Sequence, residues 1–125
     1  RIFENNSHVF ELEINKAFFI HCLSELKDDN HIALLNKIYK SVESAYIKKD
    51  VILIMTKWQQ NYWLSNLKTK YKNLSELEKR AFIIASQRMG DEGDHWLKAN
   101  KNTFSDYQKI CLDWSKSIKS RYLPI

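Results

Sequence analysis

The stretch NLSELEKRAFIIASQRMGDEGDHWLK, residues 73–98, decides the fold of this chain. It holds both glycines of the sequence, Gly90 and Gly93, and the densest acidic cluster lies around them. Apolar residues recur at helical intervals before Gly90, and apolar-periodic segments also fill most of the remaining sequence. The chain is therefore predicted to consist of helices interrupted at one glycine-containing corner.

Helix signals bound this corner on both sides. Ser75 and Glu78 match the capping-box pattern, so a helix is predicted to start at Asn73 or Ser75. Gly90 is the predicted stop, because glycine adopts the left-handed conformation without Cβ strain. A short helix is predicted from Asp94, as its cap, to Lys98. The residues assigned to the structural turn and its packing are Gly90, Asp91, Glu92, Gly93 and Trp96.

The same periodicity predicts four further helices. Their predicted bounds are Phe10–Lys27, His31–Lys48, Val51–Lys72 and Phe104–Ser120. Their predicted N-caps include Asn30, Asp50 and Thr103. Trp58 is assigned to the core, and the last helix is predicted to pack through Phe104, Tyr107, Cys111, Trp114 and Ile118. The fold class is all-α: a five- to six-helix bundle of antiparallel helix pairs, with HEAT-like stacking as one arrangement, in a single domain covering residues 1–125.

Composition supports this class. Hydrophobic residues make up 44% of the 125-residue chain and aromatic residues 13%, which argues against disorder. Two glycines and one proline are fewer than a sheet protein with many turns requires. The longest apolar run, Val51–Met55, is far below the roughly 18 residues of a membrane span, so no membrane partner is expected. Cys22 and Cys111 are predicted to be buried, reduced thiols in a cytoplasmic protein.

Charge leaves two interpretations open. The chain has 20 Lys and Arg against 15 Asp and Glu, and this balance permits contact with phosphates without requiring it. Aromatic residues and lysines crowd the second half of the Val51–Lys72 helix, as in surfaces that bind nucleic acid by stacking. Ordinary core aromatics and solvated lysines give the same pattern.

Signals for catalysis and metal binding are weak. The acidic cluster lacks the order of an EF-hand loop, and no Cys-x-x-Cys or His-Glu-x-x-His occurs, so no metal and no cofactor are expected. Arg88 and His95 formally match the loose Arg-to-His spacing of HEPN ribonucleases, in which histidine acts as acid or base. The two glycines between them interrupt the helix that would place both side chains on one face.

Two segments of the corner region resemble a known family. Leu74–Ser86 and Gly90–Trp96 are similar to a stretch in the helical region that follows the polymerase domain of some bacterial reverse transcriptases, including ones linked to phage defence. Phe104, Ser105 and Tyr107, and then Leu112 and Trp114, fit the same picture. The resemblance covers about Trp63–Trp114, and residues 1–50 contribute nothing to it.

The resemblance implies a non-catalytic accessory domain of an RNA-directed DNA polymerase, and the start at Arg1 suggests a C-terminal piece of a longer protein. The polymerase's Tyr/Phe-x-Asp-Asp motif is absent, and Asp28-Asp29 does not replace it because Lys27 precedes it. The implied partners are an RNA or DNA template–primer or the upstream polymerase domain. The residues assigned to such contacts are Lys79, Arg80, Arg88, His95 and Lys98. The alternatives are a free-standing protein-interaction scaffold and the HEPN-like ribonuclease.

Overall fold

The protein is helical throughout the part described here. A computed structural model describes Ile20 and residues 28–117, and within them it shows six α-helices and no β-strand. The helices are α1 (Asp29–Ser41), α2 (Ala45–Lys57), α3 (Asn61–Lys68), α4 (Glu76–Ser86), α5 (Asp91–Asn100) and α6 (Asp106–Ser117), with 3-10 turns at Tyr71–Asn73 and Lys101–Thr103. The all-α prediction is confirmed. Apart from Ile20, the predicted helix Phe10–Lys27 lies outside the described residues, as does the last helix beyond Ser117.

The chain divides into two compact units, residues 1–51 and residues 52–125. Helix α2 begins in the first unit and ends in the second. The prediction that residues 1–125 act as a single domain stays a prediction, and so does HEAT-like stacking.

Helix α1 begins two residues earlier than predicted, at Asp29 instead of His31. Asp28, not Asn30, is the N-cap, and its carboxylate accepts a hydrogen bond of 2.8 Å from the backbone amide of Asn30. Leu34, Leu35 and Ile38 form the buried face of the helix. These residues repeat at intervals of three and four, as expected of the buried side of a helix.

The predicted helix His31–Lys48 is wrong, because the helical backbone is interrupted after Ser41. Val42 is extended, with φ −89° and ψ 154°, yet its side chain is buried. Ser44 then starts α2: its carbonyl accepts from the Lys48 amide at 3.1 Å, and its hydroxyl accepts from the Ile47 amide at 3.4 Å. Serine side chains compete with helical backbone bonds in this way, which favours them at caps over helix interiors.

Helix α2 contains the most apolar part of the chain. Its residues Val51–Met55 are all buried, as the sequence predicted for this segment. The predicted cap Asp50 is wrong, because α2 begins at Ala45 and Asp50 lies inside it. The Asp50 carboxylate instead forms an ion pair with the Lys49 ammonium at 3.0 Å, and Lys49 is only 8% exposed.

The predicted helix Val51–Lys72 is also wrong, because it is interrupted at Trp58–Gln60. Gln59 has a positive φ of 57°. The Gln60 amide donates to the Met55 carbonyl at 2.8 Å and the Gln59 amide to the Thr56 carbonyl at 3.0 Å. This pair of bonds is a Schellman motif with glutamine in the position that glycine usually occupies. Trp58 is buried immediately before it, which confirms its core assignment.

Helix α4 starts as predicted. The Ser75 hydroxyl accepts from the Glu78 amide, and the Glu78 carboxylate accepts in return from the Ser75 amide, which confirms the capping box. Ala81–Ser86 are all buried. The predicted stop at Gly90 is too late, because the helix ends at Ser86 and three turn residues follow.

The glycine corner differs from the predicted turn. Gly90 has a φ of 71°, as expected of a position that favours glycine, but it is the N-cap of α5. The predicted turn Asp91–Gly93 and the predicted cap Asp94 are wrong, because α5 begins at Asp91. The three acidic residues therefore occupy the first turn of a helix, where negative charge is stabilising.

Gly93 lies inside α5 and is buried against the end of α4. A Cβ at this position would lie 1.8 Å from the carbonyl oxygen of Ser86 and 3.0 Å from the Met89 side chain. The φ of Gly93 is ordinary, so its backbone conformation does not require glycine. The close approach of the two backbones is therefore what requires it. The Ser86 hydroxyl donates within α4 to the Phe82 carbonyl, at 2.9 Å.

Helix α6 begins with a second capping box, so the predicted cap Thr103 is wrong. The Gln108 amide donates to the Ser105 hydroxyl at 3.2 Å, and the Ser105 amide donates to the Gln108 side-chain oxygen at 2.9 Å. The buried side chains here are Phe104, Gln108 and Leu112. The predicted packing stripe through Tyr107 is wrong, because that ring is 57% exposed. Within Ile20 and residues 28–117, no helix has the length and apolarity needed to cross a membrane.

Candidate nucleic-acid interface

An aromatic cluster centred on Trp96 holds the second unit together. Its indole lies edge-on to the rings of Phe82 and Tyr71, with centroids 4.9 Å and 4.7 Å away, and it also contacts Phe104 at 5.9 Å. Beneath these rings lie Ile83, Leu97 and Leu112. The structure thus places Trp96 between α4 and the segment that enters α6.

Lysines surround the exposed edge of this cluster at Tyr71. Lys70 and Lys72 flank Tyr71 in the chain and are exposed. The Lys79 ammonium lies 5.6 Å from the centre of the Tyr71 ring, a cation–π contact. Burial and the nearby charge of Glu76 raise the pKa of the Tyr71 phenol to about 12. The phenol therefore stays neutral beside these lysines at physiological pH.

Arg80 is the centre of a polar network between α4 and α6. Its Nε donates to the Glu76 carboxylate at 2.9 Å, and its guanidinium lies 4.0 Å from the centre of the Tyr107 ring. Gln108 donates to both carboxylate oxygens of Glu76, at 3.1 Å and 3.3 Å. The network fixes Arg80 at the surface, so this arginine is partly committed to contacts within the protein.

The other predicted binding residues lie around the corner. Arg88 is half-buried in the turn before α5, and burial lowers the pKa of its guanidinium. His95 and Lys98 are both exposed on α5. The ribonuclease interpretation needs Arg88 and His95 to act on one phosphate, and it stays a prediction.

Glu92, one of the acidic residues of α5, makes polar contacts with α3. Glu92 accepts hydrogen bonds from the Ser65 hydroxyl and from the Lys68 ammonium, the latter at 2.9 Å, and these two bonds lower the pKa of its carboxyl group. This exposed pair links α3 to α5. Among Ile20 and residues 28–117, no group of three His, Cys, Asp or Glu side chains could hold a metal ion.

Of the two cysteines that were predicted to be buried and reduced, the structure describes one. Cys111 is a free thiol, half-buried on α6, and burial raises its pKa. Cys22 lies outside the described residues. A raised thiol pKa makes the reactive thiolate scarcer at neutral pH, so Cys111 is a poor nucleophile.

Charge is distributed unequally between the two units. Residues 1–51 carry 7 Lys and Arg against 8 Asp and Glu, a net charge of −1. Residues 52–125 carry 13 against 7, a net charge of +6. The whole excess of positive charge therefore belongs to the unit that contains the Trp96 cluster and the Arg80 network.

Sequence reasoning missed three members of this site: Glu76, Tyr107 and Gln108. Two local signals were present. Glu76 and Arg80 are four residues apart on one helix, the spacing of a helical ion pair, and Ser105 and Gln108 have capping-box spacing. The contact between Tyr107 and Arg80 had no such signal, because it joins two helices that are distant in the chain.

Comparison with known proteins adds no relative: no family model, curated protein or solved structure matches this chain. The resemblance to the helical region of bacterial reverse transcriptases therefore stays a prediction from the sequence.

Proposed function

We propose that this chain is a non-catalytic helical accessory region of a bacterial RNA-directed DNA polymerase, and that its second unit contacts nucleic acid. The observation that carries the proposal is the charge difference between the units, −1 against +6. A locally basic surface attracts the phosphate backbone through release of counterions, whatever the base sequence. The stretch that resembles the polymerase family, Trp63–Trp114, lies wholly within the basic unit.

Exposed cations in the second unit give this attraction specific positions. Six lysines are exposed in its described part: Lys57, Lys70, Lys72, Lys98, Lys101 and Lys109. Lys70 and Lys72 lie on either side of Tyr71, so they add positive charge at the edge of the aromatic cluster. Phosphate contacts of this kind set position and affinity without reading bases, as a non-catalytic accessory surface requires.

A matched pair of double variants tests nucleic-acid contact. Binding of a labelled RNA–DNA hybrid and of labelled RNA is measured by fluorescence anisotropy across a range of salt concentrations. Lys70→Gln/Lys72→Gln is expected to weaken binding and to reduce the slope of log K against log salt by about 2, one for each phosphate contact. Lys37→Gln/Lys40→Gln removes two exposed lysines of the first unit and should leave both quantities unchanged. Undetectable binding at low salt, or equal losses from both variants, would contradict the proposal.

The polymerase assignment has a separate test. The gene should encode, before the codon for Arg1, a polymerase domain with the Tyr/Phe-x-Asp-Asp motif. Deleting residues 52–125 from that protein is expected to raise the KM for template–primer with a smaller effect on kcat. A gene that encodes only these 125 residues would remove this part of the proposal.

A protein-interaction scaffold is the second candidate. In the described part of the chain, four large apolar or aromatic side chains are exposed: Tyr46, Tyr62, Tyr107 and Ile110. Tyr107 and Ile110 are three residues apart on α6 and so share a side of that helix, as anchors of a protein interface often do. Binding to a partner protein that is insensitive to salt and lost in Ile110→Asp would favour this function.

A further inference from the structure

Tyr107 combines exposure with a fixed position. Its side chain is 57% exposed, while one face of its ring carries the Arg80 guanidinium 4.0 Å from the centroid. Tyr62 is exposed to 83%, but no cation is seen over its ring among the contacts of the described residues. Exposed aromatic rings usually sample several rotamers, so a ring stacked on a held guanidinium is a distinct kind of surface.

The guanidinium under Tyr107 is held by a chain of bonds. Arg80 donates to Glu76 at 2.9 Å, and Gln108 donates to the same carboxylate at 3.1 Å and 3.3 Å. Gln108 is buried and is itself fixed by the capping box with Ser105. The ring is thus set in place before any ligand arrives, which lowers the entropic cost of stacking on it.

The charges near this ring favour a base over a phosphate. Glu76 neutralises Arg80, and the neighbouring α6 residues Asp106 and Lys109 carry opposite charges, so the local charge is close to zero. Phosphates gain little here, whereas a neutral planar base gains stacking on the aromatic face. Ile110, 62% exposed one turn further along, extends the apolar surface next to the ring. Bases in a duplex are already stacked and paired, so only an unpaired base can use such a platform.

We propose that Tyr107, backed by Arg80, is the stacking platform for an unpaired base, and that the second unit therefore binds single-stranded nucleic acid in preference to duplex. This inference rests on the proposed function, because it specifies the class of nucleic acid that the basic unit contacts. The lysines supply the attraction to phosphates, and Tyr107 supplies the discrimination between single strand and duplex.

The experiment compares three substitutions of Tyr107 on two probes, a mixed-sequence single-stranded RNA and its duplex with the complementary strand. Tyr107→Ala and Tyr107→Leu are expected to weaken single-strand binding about 10-fold, since leucine restores apolar bulk without a ring. Tyr107→Phe keeps the ring and should stay within about 2-fold of the unmodified chain. Tyr62→Ala is the matched control at an exposed tyrosine without a backing cation and should leave affinity unchanged. Duplex binding and the salt slope should be the same in all variants.

The outcomes separate the inference from the proposed function. If the unmodified chain binds duplex as tightly as single strand, or if Tyr107→Ala and Tyr107→Leu bind single strand normally, the stacking role is wrong while the basic interface stands. If Tyr107→Ala binds single strand normally but has lost binding to a partner protein, the ring serves protein recognition. That result would also overturn the stacking role. If neither probe binds at low salt, the proposed function itself fails. Circular dichroism melts of each variant confirm that the helices remain folded.

Discussion

The two units of this chain use their positive charges differently. In the first, Lys49 is buried against Asp50 at 3.0 Å and lies over the ring of Tyr46, and Lys48 lies over the ring of Tyr39. In the second, the net charge is +6 and six lysines of the described part are exposed. The described parts of both units are helical, so the charge difference has no counterpart in their secondary structure.

This contrast separates stability from recognition. Removing Lys49 from the first unit is expected to lower the free energy of unfolding, because its charge is used inside the protein. Removing an exposed lysine from the second unit is expected to lower affinity for nucleic acid with little change in stability. Lys49→Ala tests this separation directly, and the variants below are ordered from the largest expected effect to the smallest.

Gly93→Ala should affect stability and binding together. The added Cβ would lie 1.8 Å from the Ser86 carbonyl oxygen, so α5 must move away from α4 and disturb the Trp96 cluster. We expect a loss of about 3 kcal/mol in the free energy of unfolding, at the upper end of overpacking penalties. Urea denaturation measures it. A loss below about 1 kcal/mol would show that the two backbones are not in close contact.

Gly90→Ala should cost less, although the glycine is only three residues away. No atom lies within 4 Å of a Cβ built on Gly90, so the penalty comes solely from its backbone, with φ 71° and ψ −144°. A side chain in that region costs about 2 kcal/mol. The same urea titration should therefore rank the two variants. The reverse ranking would contradict the distinction between steric contact and backbone strain.

Lys49→Ala should reduce stability without changing nucleic-acid affinity. The variant removes a buried stem and leaves Asp50 without its 3.0 Å ion pair, and we expect a loss of about 1 kcal/mol. Lys37→Ala, an exposed lysine of α1, is the control and should change stability by less than about 0.5 kcal/mol. Weaker RNA binding by Lys49→Ala at a temperature where it remains folded would remove the contrast between the units.

Gln59→Gly should stabilise the protein. Gln59 has a φ of 57° at the end of α2, a conformation that costs a side-chain-bearing residue more than glycine. After subtraction of the entropy that glycine loses on folding, the expected gain is about 0.5 kcal/mol. A thermal melt should show a small increase in Tm. Gln87→Gly, in the αR conformation after α4, is a control that should show no increase.

Tyr71→Phe should matter only at high pH. Burial and Glu76 raise the pKa of this phenol from 10.0 to about 12 in the folded protein. The unfolded chain therefore loses its proton first as pH rises, and stability that is complete below pH 10 is lost toward about pH 12. Tyr71→Phe should reduce this alkaline loss, as followed by urea denaturation at increasing pH. The control Tyr62→Phe, at an exposed tyrosine, should retain the alkaline loss of stability. Equal curves of stability against pH for Tyr71→Phe and the unmodified chain would contradict the assignment of this loss to Tyr71.

Local chemistry decided which parts of the fold could be predicted. The capping box at Ser75 and Glu78 was predictable because both partners lie within one turn. The break at Gln59 was not, because the motif that ends α2 usually carries glycine and the apolar pattern continues through it. The end of α1 before Val42 was not predictable for a similar reason. The backbone of Val42 is extended, but its buried side chain still fits helical periodicity.

The candidate site was less predictable than the fold. Of the five assigned binding residues, His95 and Lys98 were placed on the surface as expected of contact residues. The involvement of Arg80 with Tyr107 depends on how α4 meets α6, and no sequence spacing encodes that meeting. The role of Gly93 was missed for the same reason, because its requirement for glycine comes from a residue in another helix.

The contact between Gly93 and Ser86 also fixes the length of the connection between α4 and α5. Adding one residue to the turn would bring Glu92 to the Ser86 carbonyl, and deleting one would bring Asp94 there. Either change would put a side chain where only a hydrogen atom fits. Insertions and deletions at this turn should therefore be as damaging as point substitutions at Gly93.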